Sequence, residues 1–257
     1  MLKSLPGYLL DPVRNLARAC APKGLLGRAI SNGVDLVFPV FCQGCAGEGS
    51  YLCLFCQNLT HPPIHRCLVC NKNSPLGQVH PDCANSNMAL TGLMIAAEYS
   101  VPAIRNLVWQ MKYNSVKDIS ETLAVLMADL LVKTGVVDYF AQSLVIPVPM
   151  YKNRIRFRGF NQAEEIARHF SANLGLEYAG VLRKSRSTTR QVELEKKLRL
   201  ENLKGAFELQ DTNEQLRGRK IILIDDVATT GSTLNECALV LKKSDPAEIW
   251  GLVVARN

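Results

Sequence analysis

The stretch Ile221–Thr233, IILIDDVATTGST, sets the reading of the whole chain. Ile221 to Ile224 are consecutive apolar residues, the pattern of a strand buried on both faces in a parallel sheet. Asp225 and Asp226 stand where that strand should end. Ala228 leads into a small, hydroxyl-rich turn, Thr229-Thr230-Gly231-Ser232-Thr233, and Leu234 to Lys243 has the texture of a helix. Such a turn aims backbone N–H groups and hydroxyls at one point, and the helix N-terminus behind it adds positive potential. The segment therefore predicts a phosphate cradle. Carboxylates repel phosphate, so the acidic pair must face something else, either sugar hydroxyls or a metal. Strand, acids and turn together predict a site for a phosphorylated sugar.

Working outward, the chain from Leu90 onward reads as an α/β domain. Leu93 to Tyr99 has strand character, and Val101 to Met111 places Ile104, Leu107, Val108 and Met111 on one helix face, followed by Lys112-Tyr113. Ile119 to Val132 is a longer helical run, and Leu144 to Val148 a buried strand. Lys152, Arg154, Arg156 and Arg158 follow that strand directly. Open parallel sheets bind ligands at the carboxyl ends of their strands, so these cations predict an anion-binding loop. Asn161 is the expected N-cap of a helix from Gln162 to Asn173, with Glu164 and Glu165 in its first turns. Residues 183–204 hold eight Lys or Arg against three Glu, which suits a solvated hairpin or a lid over an anionic ligand. Glu248 to Ala255 reads as a closing strand.

The chain has nine cysteines, and seven of them lie between Cys42 and Cys83. Cys42-x2-Cys45 and Cys53-x2-Cys56 form two knuckles, Cys67-x2-Cys70 a third, and His80-x2-Cys83 offers a fourth pair. In a CxxC turn both sulfurs converge on one point, and two turns build the tetrahedral site that Zn²⁺ prefers. Four pairs suit two zinc sites, or one site with vestigial cysteines beside it. His61 and His65 are less favoured ligands. Three CxxC motifs without a βαβ setting argue against redox chemistry. With no long apolar run, Phe41 to Ala84 needs metal for much of its folding energy. Docking, nucleic-acid contact or plain scaffolding are all open to it. Cys237 reads as a small core residue.

Length and a hydrophobic content of 47% over 257 residues exclude gross disorder. The formal net charge of +7 favours polyanionic partners, either phosphate compounds or nucleic acid. No apolar run reaches membrane-span length. Pro6, Asp11, Pro12 and Arg14 interrupt the N-terminus where a signal peptide would be apolar, so a cytoplasmic protein is expected. Residues 1–37 are expected to be a helical extension, 38–88 a cysteine-rich zinc module, and 89–257 an α/β domain.

IILIDDVATTGST resembles the 5-phosphoribosyl-1-pyrophosphate (PRPP) motif of type I phosphoribosyltransferases. The combination with FPVFCQGC, the cysteine cluster, Lys112-Tyr113, RFRGFNQA at Arg156–Ala163, and Gln191, Leu194, Arg199, Asn202 and Ala206-Phe207 resembles the ComF (competence, or GntX-like) family. The resemblance implies a twisted, mostly parallel sheet behind a zinc-ribbon-like module, and a link to DNA uptake in natural competence. It also implies PRPP binding with Mg²⁺. Asp225 and Asp226 would hold the ribose hydroxyls, and Ala228 to Thr233 the 5′-phosphate. Lys112, Lys152, Arg154 and Arg158, with Arg190 or Arg199 from the lid, would hold the pyrophosphate. His80 departs from a clean fourth CxxC. Three classes of function stay open: phosphoribosyl transfer to an unidentified acceptor, binding of single-stranded DNA without catalysis, and an adaptor that docks a helicase or translocation partner.

Overall fold

A computed structural model describes residues 39–84, 87–186, 203–210 and 214–257. The N-terminal extension and the lid residues Arg190, Gln191, Leu194, Arg199 and Asn202 lie outside them. The architecture is a five-stranded, wholly parallel sheet with helices on both faces. Its strands are β1 (Gly92–Glu98), β2 (Leu144–Pro147), β3 (Glu177–Tyr178), β6 (Lys220–Ala228) and β7 (Glu248–Arg256), in the order β1-β7-β6-β2-β3. β7, the last strand in the chain as expected, is an inner strand between β1 and β6. A short antiparallel hairpin, β4 (Leu182–Lys184) and β5 (Phe207–Leu209), forms the base of the basic 183–204 tract.

The apolar run of β6 is buried on both sides because each face of the sheet is covered. Ile222 and Ile224 face α2 (Pro102–Tyr113), α3 (Ile119–Lys133) and α5 (Gln162–Leu174), in a cluster with Met94, Leu107, Leu123 and Phe170. Ile221 and Leu223 face α6 (Ser232–Leu241), in a second cluster with Leu234, Cys237 and Phe207. Complete burial of each isoleucine or leucine in β6 stabilises the fold by about 2 kcal/mol. Cys237 sits in this core as expected.

The cysteine-rich segment is fastened to the sheet. Cys42, Leu52 and Cys56 belong to the same cluster as α2. β1 is an edge strand, and its open side is covered from the 65–79 segment. His65 Nε2 accepts the Ile95 N–H at 3.0 Å, and Gln78 bridges Gly92. A sheet edge left open would invite pairing with another chain. Among the described residues no helix is long and apolar enough to cross a membrane.

Candidate functional site

β6 runs through both acids to Ala228 instead of stopping before them, because β7 keeps pairing with it as far as Ala228–Arg256. Successive strand residues point to opposite faces, so the two carboxylates part company. Asp225 shares its face with Ile221 and Leu223. It lines a cavity of about 50 Å³ with Val227, Ala228, Thr229, Gly231, Ser232, Thr233 and Leu234. Asp226 turns the other way, is only 8% exposed, and pairs with Lys112 Nζ at the end of α2 at 2.8 Å. Burial and the adjacent Asp226 charge push the Asp225 carboxyl up to about 7, although the Asp226 N–H, Lys112 and Lys184 pull the other way.

The turn itself is pinned at its start. Arg256 Nε donates to Thr229 O at 3.1 Å, and the Asn257 N–H to Ala228 O at 2.9 Å. Gly231 adopts φ +77°, a left-handed conformation that a side chain resists, and α6 starts at the next residue. Thr230 and Ser232 hydroxyls meet across the turn. This brings together the acid and the anion nest that the sequence predicts, on one side of the sheet.

The basic segment after β2 is a helix, α4 (Lys152–Arg158), where a loop was expected. Gly159 at φ +85° is its C-cap, a signal that the sequence carried. Helical geometry splits the alternating cations, with Lys152 and Arg156 on one side and Arg154 and Arg158 on the other. Arg158 donates to Gln162 Oε1 at 3.2 Å and lies over the Tyr113 ring, while Lys152 lines a larger cavity of about 690 Å³ beside Lys184 and Tyr178. The four cations therefore do not converge on one point. Asn161 heads α5 without capping it through its side chain, and its amide instead donates to Val148 O at 3.0 Å, fixing the chain after β2.

Lys184 on β4 is a site residue that sequence reading did not single out. Burial and the Arg154 charge push its amine down to about 8, against the pull of Asp225. Nothing marks it among the many cations of its tract; only the hairpin base carries it toward the acids.

Both cysteine quartets assemble. In Cys42/Cys45/Cys53/Cys56 and in Cys67/Cys70/His80/Cys83 the ligand atoms lie within 4.8 Å of one another. Zn–S bonds of about 2.3 Å in a tetrahedron place sulfurs about 3.8 Å apart. Cys45 and Cys53 sulfurs are 3.7 Å apart, and Cys70 Sγ is 3.2 Å from His80 Nδ1. Burial works to raise the Cys42 and Cys67 thiols, but surrounding backbone N–H groups outweigh it and bring each to about 6. Thiolates held this way suit a cation. His80 takes its place in the second quartet despite its departure from CxxC. His65 is a hydrogen-bond acceptor for β1, and His61 belongs to neither quartet.

Residues 155–257 match the phosphoribosyl transferase domain family. Over these residues the chain is similar to phosphoribosyl transferase domains. It is 40% identical over 114 residues to Competence protein F of Haemophilus influenzae, a match covering 43% of this chain and 50% of that protein. With the DNA utilization protein YhgH of Escherichia coli K12 it shares 27% identity over 210 residues, 78% of this chain and 89% of that one. With Competence protein ComFC of Bacillus subtilis it shares 30% over 115 residues, 44% of this chain and 45% of that one. The chain thus spans about half the length of these two competence proteins and most of YhgH. The resemblance to the ComF family read from the sequence holds.

One exposed surface lies along α2. Arg105, Trp109 and Tyr113 follow one another at i, i+4 and i+8 along α2. Trp109 is 50% and Tyr113 61% exposed, and their ring centroids are 5.6 Å apart. Ser115 Oγ donates to Arg158 O at 3.1 Å, which brings the end of α4, with Phe157 at 85% exposure, beside this stripe.

Proposed function

We propose that this chain binds PRPP at the end of β6 and acts as a phosphoribosyltransferase-like protein in the handling of DNA during competence or DNA utilization. The observation that carries the reading is the placement of Asp225 in one small cavity with the Thr229–Thr233 turn at the N-terminus of α6. Thr229 to Thr233 take the 5′-phosphate and Asp225 orients the ribose hydroxyls, while Asp226, paired with Lys112 on the opposite face of the strand, sets the local charge. Of the α4 cations, Lys152, which lines the larger cavity with Lys184, is the one offered to the pyrophosphate, with Arg190 or Arg199 of the lid, outside the described residues, as the second charge. Mg²⁺, a hard cation that prefers oxygen ligands, supplies charge at the pyrophosphate when it is bound with PRPP. As the C1–pyrophosphate bond breaks, positive charge develops on the sugar, so positioning and neutralisation of the leaving group carry the rate. The cysteine-rich module supports this site, with zinc in both quartets.

Calorimetric titration with PRPP and Mg²⁺ tests the reading. Binding should be lost in Asp225→Asn/Asp226→Asn, and no heat at millimolar PRPP with the unaltered protein would overturn it.

A second reading is favoured by the Arg105–Trp109–Tyr113 stripe with Phe157 and Arg158: aromatic faces flanked by guanidinium groups suit the stacking of single-stranded bases. Salt-sensitive binding of an oligothymidine, weakened by Trp109→Ala/Tyr113→Ala and unchanged in Asp225→Asn/Asp226→Asn, is expected on this reading. Equal binding by the aromatic double variant would remove it.

A further inference from the structure

The two cysteine quartets rest on different parts of the molecule. The first packs on the outer side of α2: a Cβ added to Gly44 would stand 3.7 Å from the Ala103 side chain, and Cys42 and Cys56 join the cluster of that helix. The second knuckle reaches the turn after β6. Leu68, between Cys67 and Cys70, is half-buried in the α6-side cluster. A Cβ built on Gly231 would meet Leu68 Cδ2 at 3.4 Å, and Leu93 Cδ2 of β1 at 3.8 Å. The segment leaving the second quartet is gripped by the same helix. Asn235 Oδ1 accepts the Ala89 N–H at 2.9 Å, and Asn235 Nδ2 donates to Asn87 O at 2.7 Å. Asn235 is also the residue whose own N–H closes on Gly231 O at 2.9 Å. The left-handed turn at Gly231 is therefore packed from above by Leu68 and tied through Asn235 to residues 87–89, on either side of the Cys67/Cys70/His80/Cys83 cluster.

We propose that this second quartet is a positioning device for the turn: with metal bound, its knuckle holds Leu68 against Gly231 and fixes the conformation in which Thr229–Thr233 can take a phosphate. Leu68 and Asn235 are the positioning residues, and the first quartet has no such role. The physical basis is the small apolar content of the 65–83 segment. Ser74, Gly77 and Val79 are its buried residues beside Cys67, so metal ligation supplies much of its order, and without metal Leu68 has no fixed backbone to project it. A left-handed glycine turn that loses a packing partner gains conformational freedom, since glycine has the widest range of backbone states. The consequence is a metal-linked anion site, in which zinc and ligand affinities are coupled through one leucine.

The proposal rests on the PRPP reading only in its third readout. Full-length protein, Cys70→Ser, Cys45→Ser and Leu68→Ala are compared for zinc content per chain, hydrogen exchange at the amides of 229–235 without ligand, and Mg²⁺–PRPP dissociation constant. Cys70→Ser and Cys45→Ser should each lose one zinc, but only Cys70→Ser should speed exchange in the turn and weaken PRPP severalfold. Leu68→Ala should do the same to the turn with full zinc content, and Leu68→Met should restore it. Faster exchange in Cys45→Ser as great as in Cys70→Ser, or an unchanged turn in Leu68→Ala, would overturn the proposal. If Cys70→Ser does not fold, Leu68→Ala decides alone. Absence of PRPP binding in the unaltered protein would sink the functional reading and leave the exchange result standing.

Discussion

Asp225→Asn should stabilise the free protein at neutral pH while destroying its ligand site. Asp225 ends the buried run of β6, and burial together with the neighbouring Asp226 raises its carboxyl from 3.8 to about 7. The folded state thus holds this proton more tightly than the unfolded chain, and ionising the group costs stability. The cost is absent below about pH 4, grows as pH rises, and is complete above about pH 7. A difference of about 3 pH units at ~1.4 kcal/mol each sets the full cost near 4 kcal/mol, and residual solvent contact brings it to about 2–4 kcal/mol. Asparagine keeps an oxygen to accept the Asp226 N–H, which now bonds Asp225 Oδ1 at 2.8 Å, and carries no charge. Urea unfolding of both proteins at pH 5.5 and 8.5 is the assay. Titrating groups away from Asp225 are shared by the two and cancel in the difference, so the advantage of the variant should grow by about 2 kcal/mol between those pH values. At pH 8.5 its melting temperature should rise by about 4–16 °C. A variant that is less stable than the unaltered protein at pH 8.5, or whose advantage is the same at both pH values, refutes the reasoning. The trade of stability for a charged, buried ligand group is common at binding sites.

Other perturbations separate the remaining parts. Lys112→Met leaves the Asp226 carboxylate buried without its 2.8 Å partner, at a cost of about 3–5 kcal/mol; Lys112→Met/Asp226→Asn should recover most of it, and a thermal unfolding curve for the single variant that overlays the unaltered one would show the pair to be idle. Metal analysis should find about two zinc ions per chain, as two four-ligand sites require. Removing them with a chelator should collapse hydrogen-exchange protection over 41–83 while β6 and β7 stay protected. Uniform loss of protection across the sheet would mean that the module and the core unfold as one unit.

Much of this architecture was legible residue by residue. The four-residue apolar run of β6, the alternation of helices and strands from Gly92 onward, and the CxxC spacings are local patterns, and local patterns survive in a one-dimensional string. Most boundaries moved by one or two residues, but β6 ran four residues past Ile224 because β7 kept pairing with it through Asp225 and Asp226 to Ala228. The α4 helix was misread as a loop because its alternating cations drew attention from Gly159, a helix stop. Asn161 stands at the N-cap of α5 as its type and position indicate, but its side chain serves the fold by donating to Val148 O instead of capping the helix. Lys184 could not be found at all, since its importance comes from the hairpin that brings it near Asp225 and Arg154.

By itself the sequence determined the local parts and their order: a buried apolar strand that runs into two carboxylates and a Thr-Thr-Gly-Ser-Thr turn, and four ligand pairs whose spacing fits zinc. Tertiary structure alone decided how those parts share the work. Adjacent residues on a strand must face opposite ways, so Asp225 looks into the phosphate turn and Asp226 into a salt bridge with Lys112, a division that no reading of "Asp-Asp" could supply. Contacts between residues far apart in the chain, Leu68 on Gly231 and Asn235 on residues 87–89, decided which quartet lies against the 229–233 turn, because contacts across more than 140 positions leave no periodic trace in the string.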